Sequence, residues 1–244
     1  ATSCSESLLR SSAEMAKKHR VGLHTHCGET VAENEFSLEH FGRRPLDYLL
    51  ECGWDYEQAW LAHGIHFNNS ELETLSEQGI GVAHCPNANM RLGSGICPVP
   101  KMLEQGIKVG IGVDGSASND SGHILGELRQ ALYLARVDGG AKAMSAMDAL
   151  ELGTWRAAEL IGRADIGRIA IGFCGDCALF PVEDLYSSGC ENAVDALLLC
   201  HPRQVTDSIV GGRLQIRDGN LLPIDLGEHM YRHQRRANEL HQFS

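Results

Sequence analysis

The chain has 244 residues, 43% hydrophobic and 22% charged, with 21 Lys+Arg against 32 Asp+Glu and a formal net charge of −11. That length can bury a full core as one large domain, or as one domain with a small companion. The acidic balance, with no basic cluster longer than Lys17-Lys18-His19-Arg20, argues against nucleic acid or an anionic membrane as partner, and no run nears the ~18 apolar residues of a membrane span.

In chain order, residues 6–19 place Leu8, Leu9, Ala13 and Ala16 at helical spacing, and a strand Val21–His26 follows. The alternation then repeats: helix Pro45–Cys52, strand Ala59–His63, helix Glu71–Gln78, strand Gly81–His84, short helix Pro100–Glu104, strand Val109–Asp114. Asp120–Arg136 reads as a longer helix with Ile124, Leu128, Ala131, Leu132 and Ala135 on one face. Strands alternating with helices indicate parallel βαβ architecture. Helices at Ser145–Gly153 and Trp155–Gly162 lead into a different texture of short β segments: Cys177–Phe180, Ala196–Cys200, Gln204–Val210 and Arg213–Arg217. Gly211-Gly212 suits a two-residue hairpin turn, and a helix over Glu228–Leu240 closes the chain. Nine scattered Cys and a start without the regions of a secretory leader lead to the expectation of a cytoplasmic protein with reduced thiols.

Chemistry gathers at four strand ends: Leu-His-Thr-His-Cys-Gly-Glu-Thr (23–30), Leu-Ala-His-Gly (61–64), Val-Ala-His-Cys-Pro (82–86) and Gly-Ile-Gly-Val-Asp-Gly (110–115). In an α/β barrel, side chains at the carboxyl ends of strands converge on one mouth. His26 and Glu29 pair a standard Zn²⁺ or Fe²⁺ ligand with a carboxylate that can move a proton between water and substrate. Asp114 is placed as acidic ligand or base, while His63 and His84 are placed to polarise a substrate oxygen or steady the attacking hydroxide. Any one histidine has a plain structural explanation, but four strand ends in register would need that explanation four times over. His24 is assigned to the opposite strand face from His26, with a structural role or one supporting the site residues from behind.

Other motifs carry less. Cys174-Gly-Asp-Cys177 lacks a second pair, and His229 and His233 lack the Glu of His-Glu-x-x-His. The His-x-Glu…Pro-Cys-x-x-Cys signature of the cytidine-deaminase type is absent too.

The four stretches, in their longer forms His-Thr-His-Cys-Gly-Glu-Thr, Trp-Leu-Ala-His-Gly-Ile-His-Phe, Ala-His-Cys-Pro-Asn-Ala-Asn-Met-Arg-Leu-Gly-Ser-Gly and Gly-Val-Asp-Gly-Ser-Ala-Ser-Asn-Asp-Ser, resemble the amidohydrolase superfamily. So does Asp165-Ile-Gly-Arg-Ile-Ala-Ile-Gly, and the likeness runs across nearly the whole chain. It lies in the aminohydrolase branch of purine, pyrimidine and triazine deaminases, with the bacterial 8-oxoguanine deaminases most similar. The resemblance implies a (β/α)8 TIM-barrel metal-dependent hydrolase with a small β-sandwich and one divalent metal ion, zinc with iron as the alternative. By the same resemblance His26 is the strand-5 metal ligand, Glu29 the proton shuttle, His63 the strand-6 histidine beside the hydroxide and Asp114 the strand-8 ligand. His84 and Ser118 are the implied substrate-binding residues. The implied reaction is attack of metal-bound hydroxide on the amine-bearing carbon of a small heterocycle, 8-oxoguanine giving uric acid and ammonia. Guanine, S-adenosylhomocysteine or hydroxytriazine deamination, or a non-catalytic barrel, are the alternatives, and a homo-oligomer is left open.

One departure from the family is large, because its strand-1 His-x-His is missing. His24-Thr25-His26 is followed by Glu29 as strand 5 should be, and the Asp114 motif comes too soon for eight strand–helix units of roughly 200–250 residues. The expectation is therefore the C-terminal half-barrel, strands 5–8, over residues 1–163, part of the β-sandwich over 164–223, and a terminal helix over 224–244. Alone, such a chain is expected to hold metal weakly and turn over negligibly.

Overall fold

The computed structural model describes residues 3–242. Its first half is a four-stranded parallel sheet in the order β1 (Leu23–Cys27), β2 (Ala59–His63), β3 (Gly81–His84) and β4 (Val109–Ile111). Helix α1 (Glu6–His19) leads in, capped by the Ser5 hydroxyl at one end and left-handed Arg20 at the other, with Leu9, Ala13 and Ala16 buried. Leu8, read as part of that buried face, is instead exposed.

Between β1 and β2 run α2 (Val31–Phe41) and α3 (Pro45–Leu49), which passes into a π-helical turn over Leu50–Trp54. Helix α4 (Asn69–Gln78) starts on a reciprocal capping box between Asn68 and Glu71. Then come α5 (Pro86–Leu92), α6 (Val99–Glu104), α7 (Ile124–Gly139), α8 (Ala146–Leu152) and α9 (Trp155–Leu160). The α/β alternation read from the sequence is the architecture observed, but α2 was not anticipated. Its only buried residue is Ser37, so it carries no apolar stripe to betray it.

Register assigns the two faces of the sheet. His26 pairs with Ala62, Ala62 with Ala83 and Ala83 with Gly110, so these share one face, and Leu23, Leu61, Val82 and Val109 lie on the other. The second face packs into the core with Leu46, Leu49, Leu72, Leu75 and Met102. The first is covered at its lower end by α9, which comes close only because Gly81 and Gly110 have no side chains. A Cβ at Gly81 would lie 2.2 Å from Leu160 Cδ1, and one at Gly110 2.9 Å from Ala157 Cα. The upper end of this face carries His26.

His24 corrects an expectation here. Side chains alternate with a period of two, so residues 24 and 26 share a face rather than opposing each other. Their ring centroids are 6.3 Å apart, and His24 stacks on Trp60 while its Nδ1 lies 2.8 Å from the Trp60 carbonyl oxygen. Trp60 thus holds His24 on the site's own face.

A second, antiparallel sheet joins β5 (Cys177–Leu179), β6 (Asp207–Val210), β7 (Arg213–Arg217) and β8 (Asn220–Leu221) in sequence order. Gly211 and Gly212 make the β6–β7 turn with φ of 56° and 74°, the left-handed pair a two-residue hairpin needs. The strand expected at Ala196–Cys200 is instead a π-helical turn continuing α10 (Ala193–Asp195), started by the Asn192 side chain accepting from the Val194 and Asp195 N–H groups. A short apolar run such as Ala-Leu-Leu-Leu-Cys fits either state, and the cap decides it. Helix α11 (Leu226–His241) ends the described chain with no buried residue, so His229 and His233 lie on an exposed helix. Among the described residues no helix is long and apolar enough to cross a membrane. Among the described residues the parallel sheet stays open, with β1 and β4 at its edges.

Candidate metal centre

The upper ends of the four strands bring three of the expected residues together. One ligand atom each from His26, His63 and Asp114 lie within 4.8 Å of one another, the group of metal-ligating side chains found among the described residues. His26 Nε2 is 3.3 Å from Asp114 Oδ1, and the His26 and His63 rings are 5.0 Å apart.

Two of the three are held in unusual backbone. His63 (φ 75°) and Asp114 (φ 61°) occupy the left-handed region that L side chains seldom adopt. Such strain persists where the surroundings over-determine it, and it gathers at functional sites. It also explains why β4 ends at Ile111 and not at Asp114 as expected: the chain leaves the ladder to make the turn that aims the carboxylate.

His63 is fully buried, and its Nδ1 lies 2.8 Å from Asn89 Oδ1. An Nδ1–H donated to that oxygen fixes the tautomer and leaves the lone pair on Nε2. That Nε2 is buried without a hydrogen-bond partner, and Glu29 Oε2 stands 3.7 Å away. A buried lone pair facing a histidine and a carboxylate is a donor set that suits a divalent cation, zinc among them. Asp114 is prepared for the same task. Burial would raise its carboxyl, but hydrogen bonds from the Ser118 hydroxyl and the Gly115 N–H, with His26 beyond them, outweigh burial and hold it below its usual range. Ser118 Oγ donates to Asp114 Oδ2 at 2.5 Å, leaving Oδ1 for the His26 side.

Glu29 is a quarter exposed, at the edge of an open cleft of about 530 Å³ that also touches His26, Thr25, Thr30, Glu33 and Phe36. A volume of that order accommodates a small heterocycle. Of the two residues assigned to substrate, Ser118 is engaged with Asp114, and His84 does not open onto the cleft, being 1% exposed with Nδ1 unpartnered. Neighbouring Cys85 is pushed up to about 12, by burial first and then by the Asp114 and Glu127 carboxylates, so it remains a thiol.

Sequence reasoning missed the amide and carboxylate groups behind these side chains. Asn89 orients His63, and Asn119 donates to the Val113 carbonyl beside Asp114. Buried Glu127 accepts from both Asn87 and Asn119. The available signal was Glu127 itself, a charge within the apolar stripe of α7.

His84 sets a pH dependence. Burial, with the field of His63 added, lowers it from 6.5 to about 3. Across that window the unfolded chain binds the proton and the folded chain does not, so stability rises with pH and is lost on acidification. Urea unfolding of metal-free protein should show the wild type losing about 2 kcal/mol more than His84→Asn between pH 7 and pH 5. Equal losses would mean that His84 titrates normally.

The sequence profile of the amidohydrolase family matches residues 1–215. The chain is 46% identical to the 8-oxoguanine deaminase of Pseudomonas aeruginosa over 96% of its own length and 52% of that relative's. It is 36% identical to a 5-methylthioadenosine/S-adenosylhomocysteine deaminase of Halobacterium salinarum, over 98% and 56%. Among solved structures it is similar to an adenosine deaminase from Xanthomonas campestris with bound zinc, at TM-score 0.94 and 26% identity over 98% of this chain and 55% of that one. It is also similar to the atrazine chlorohydrolase of Arthrobacter aurescens complexed with zinc, at TM-score 0.88 and 28% identity over 93% and 51%. The chain thus spans about half the length of the curated relatives it matches.

Proposed function

The chain belongs to the amidohydrolase family, and from that premise we propose that it carries the working half of a metal-dependent deaminase of amino-heterocycles, with 8-oxoguanine as substrate. In this reading β1 to β4 are strands 5 to 8 of a (β/α)8 barrel within residues 1–163, residues 164–223 belong to a small β-sandwich, and 224–244 form a terminal helix. The observation that carries the proposal is the convergence of His26, His63 and Asp114 on one point, with Glu29 beside it. Support for the substrate comes from the 46% identity to an 8-oxoguanine deaminase. Uric acid and ammonia would be the products.

His26 and Asp114 would hold the ion, and the free Nε2 of His63 faces the same point. A divalent ion there supplies Lewis-acid activation of water. Glu29 supplies the proton traffic: its carboxylate takes a proton from the attacking water and delivers it to the ring nitrogen of the amidine. The water's second proton, left on the hydroxyl now bonded to carbon, then passes to the amine, the C–N bond breaks, and a carbonyl and ammonia result. His63, with its Nδ1 turned to Asn89, presents Nε2 on the site-facing side, where it steadies the water. Ser118 and His84 shape the substrate side, Ser118 through Asp114 and His84 as a neutral imidazole behind the cleft.

A second reading, deamination of an adenosine-type nucleoside such as S-adenosylhomocysteine, is favoured by the 36% identical relative. Ammonia release by the zinc-loaded full-length enzyme separates the two. With 8-oxoguanine, guanine, S-adenosylhomocysteine and hydroxytriazines compared, kcat/KM for 8-oxoguanine should lead by about 100-fold, a scale that loss of a hydrogen-bonded substrate group readily exceeds. A lead for the nucleoside establishes the second reading, and silence on all four removes both.

A further inference from the structure

Behind the strand ends lies a buried carboxylate, Glu127, on the first turns of α7 and 0% exposed. Its two oxygens take three N–H donors. Oε1 accepts from Asn87 Nδ2 at 2.6 Å and Asn119 Nδ2 at 2.5 Å, and Oε2 from the Asn87 backbone N–H at 3.1 Å. Each asparagine leads to one side of the metal centre. Asn87 opens α5, the helix that carries Asn89 against His63 Nδ1. Asn119 holds the Val113 carbonyl at 2.8 Å, and its Oδ1 gathers the Ser121 and Gly122 N–H groups, winding the loop that presents Asp114 and Ser118.

We propose that Glu127 is a positioning residue for the metal centre. Through Asn87 and Asn119 it fixes the β3-end and β4-end loops to one carboxylate, and so sets the spacing between His63 and Asp114. Asp114, in the second of these loops, sits in left-handed backbone that would relax if the loop were released. Both oxygens of the Glu127 carboxylate are occupied, and a buried carboxylate tied to several donors favours one geometry of the loops it joins. The inference rests on the reading of His26, His63 and Asp114 as a metal site.

Glu127→Gln tests it in the full-length enzyme. Glutamine keeps the shape but turns one oxygen into an NH2, which faces an N–H donor in either orientation. Zinc affinity, measured by competition with a chromogenic chelator, should fall about ten-fold or more, the scale seen when partners behind metal ligands are removed. In the zinc-saturated protein kcat should fall with KM little changed. Because Glu127 acts through Asn119, the loss in the Asn119→Ala/Glu127→Gln double variant should be smaller than the sum of the single losses. Should Glu127→Gln fail to fold, Asn119→Ala alone must lower zinc affinity. A lower melting temperature with unchanged zinc affinity and kcat would show Glu127 to be structural only and overturn the proposal, as would additive losses or an Asn119→Ala protein of wild-type affinity. Wild-type protein in the same assay separates the two levels. If it holds zinc and Asp114→Ala does not, the metal site stands whatever Glu127 does. If wild type holds none, both fall.

Discussion

Asp114→Ala in the full-length enzyme should lose metal retention and deaminase turnover together. The carboxylate is the anionic member of the three-residue group, kept ionised by Ser118 and the Gly115 N–H, and its Oδ1 is the atom facing His26. Alanine removes the negative charge and the donor atom together. The loss in metal affinity should therefore exceed the about 100-fold that removal of a partner behind a ligand can cost. Ser118→Ala supplies the internal comparison. It leaves Asp114 in place and removes one hydrogen bond to Oδ2, so its effect should stay within about 10- to 100-fold. Equilibrium dialysis with zinc, followed by metal analysis, reads both. An Asp114→Ala protein that still holds one tightly bound zinc per chain would move the site elsewhere.

The candidate strand-end residues are legible because each apolar run stops abruptly at a His or Asp. Ala59–His63 and Gly81–His84 were read to the residue, since Gly64 and Cys85-Pro86 break the pattern at once. Failures occurred where local pattern and three-dimensional role part company. Helix α2 exposes Val31, Phe36 and Leu38 and buries a serine, so its periodicity points nowhere. The error over His24 was one of geometry, not of missing information, because a spacing of two fixes a shared face. The network of Asn87, Asn89, Asn119 and Glu127 was invisible for a different reason. Asparagines just after strand ends read as turn residues, and the contacts that join them exist only once β2, β3 and β4 lie side by side. Glu127 alone left a trace, standing among Leu128, Ala131 and Ala135 on the buried face of α7.

Glu29→Gln separates the proton carrier from the metal ligands. Glu29 is not one of the three residues whose ligand atoms cluster, and its carboxylate stands 3.7 Å from His63 Nε2. Replacing its carboxylate by an amide should therefore leave zinc content near wild type while kcat falls by about 10²- to 10⁴-fold, the range that a positioned acid–base group contributes. KM should change little, because an uncharged substrate gains nothing from a carboxylate before proton transfer begins. Single-turnover ammonia release on zinc-saturated protein isolates the chemical step from product release. The combination of outcomes is what discriminates. Loss of zinc together with activity would make Glu29 a ligand. Retention of zinc and of activity within about ten-fold would place the shuttle on another group, since acid–base catalysis is worth at least about 10²-fold. A protein that serves its biological role unimpaired with Gln at this position would be a non-catalytic barrel. That last outcome conflicts with the strained backbone at His63 and Asp114, because a scaffold without chemistry gains nothing from holding two side chains in unfavourable conformations around one point.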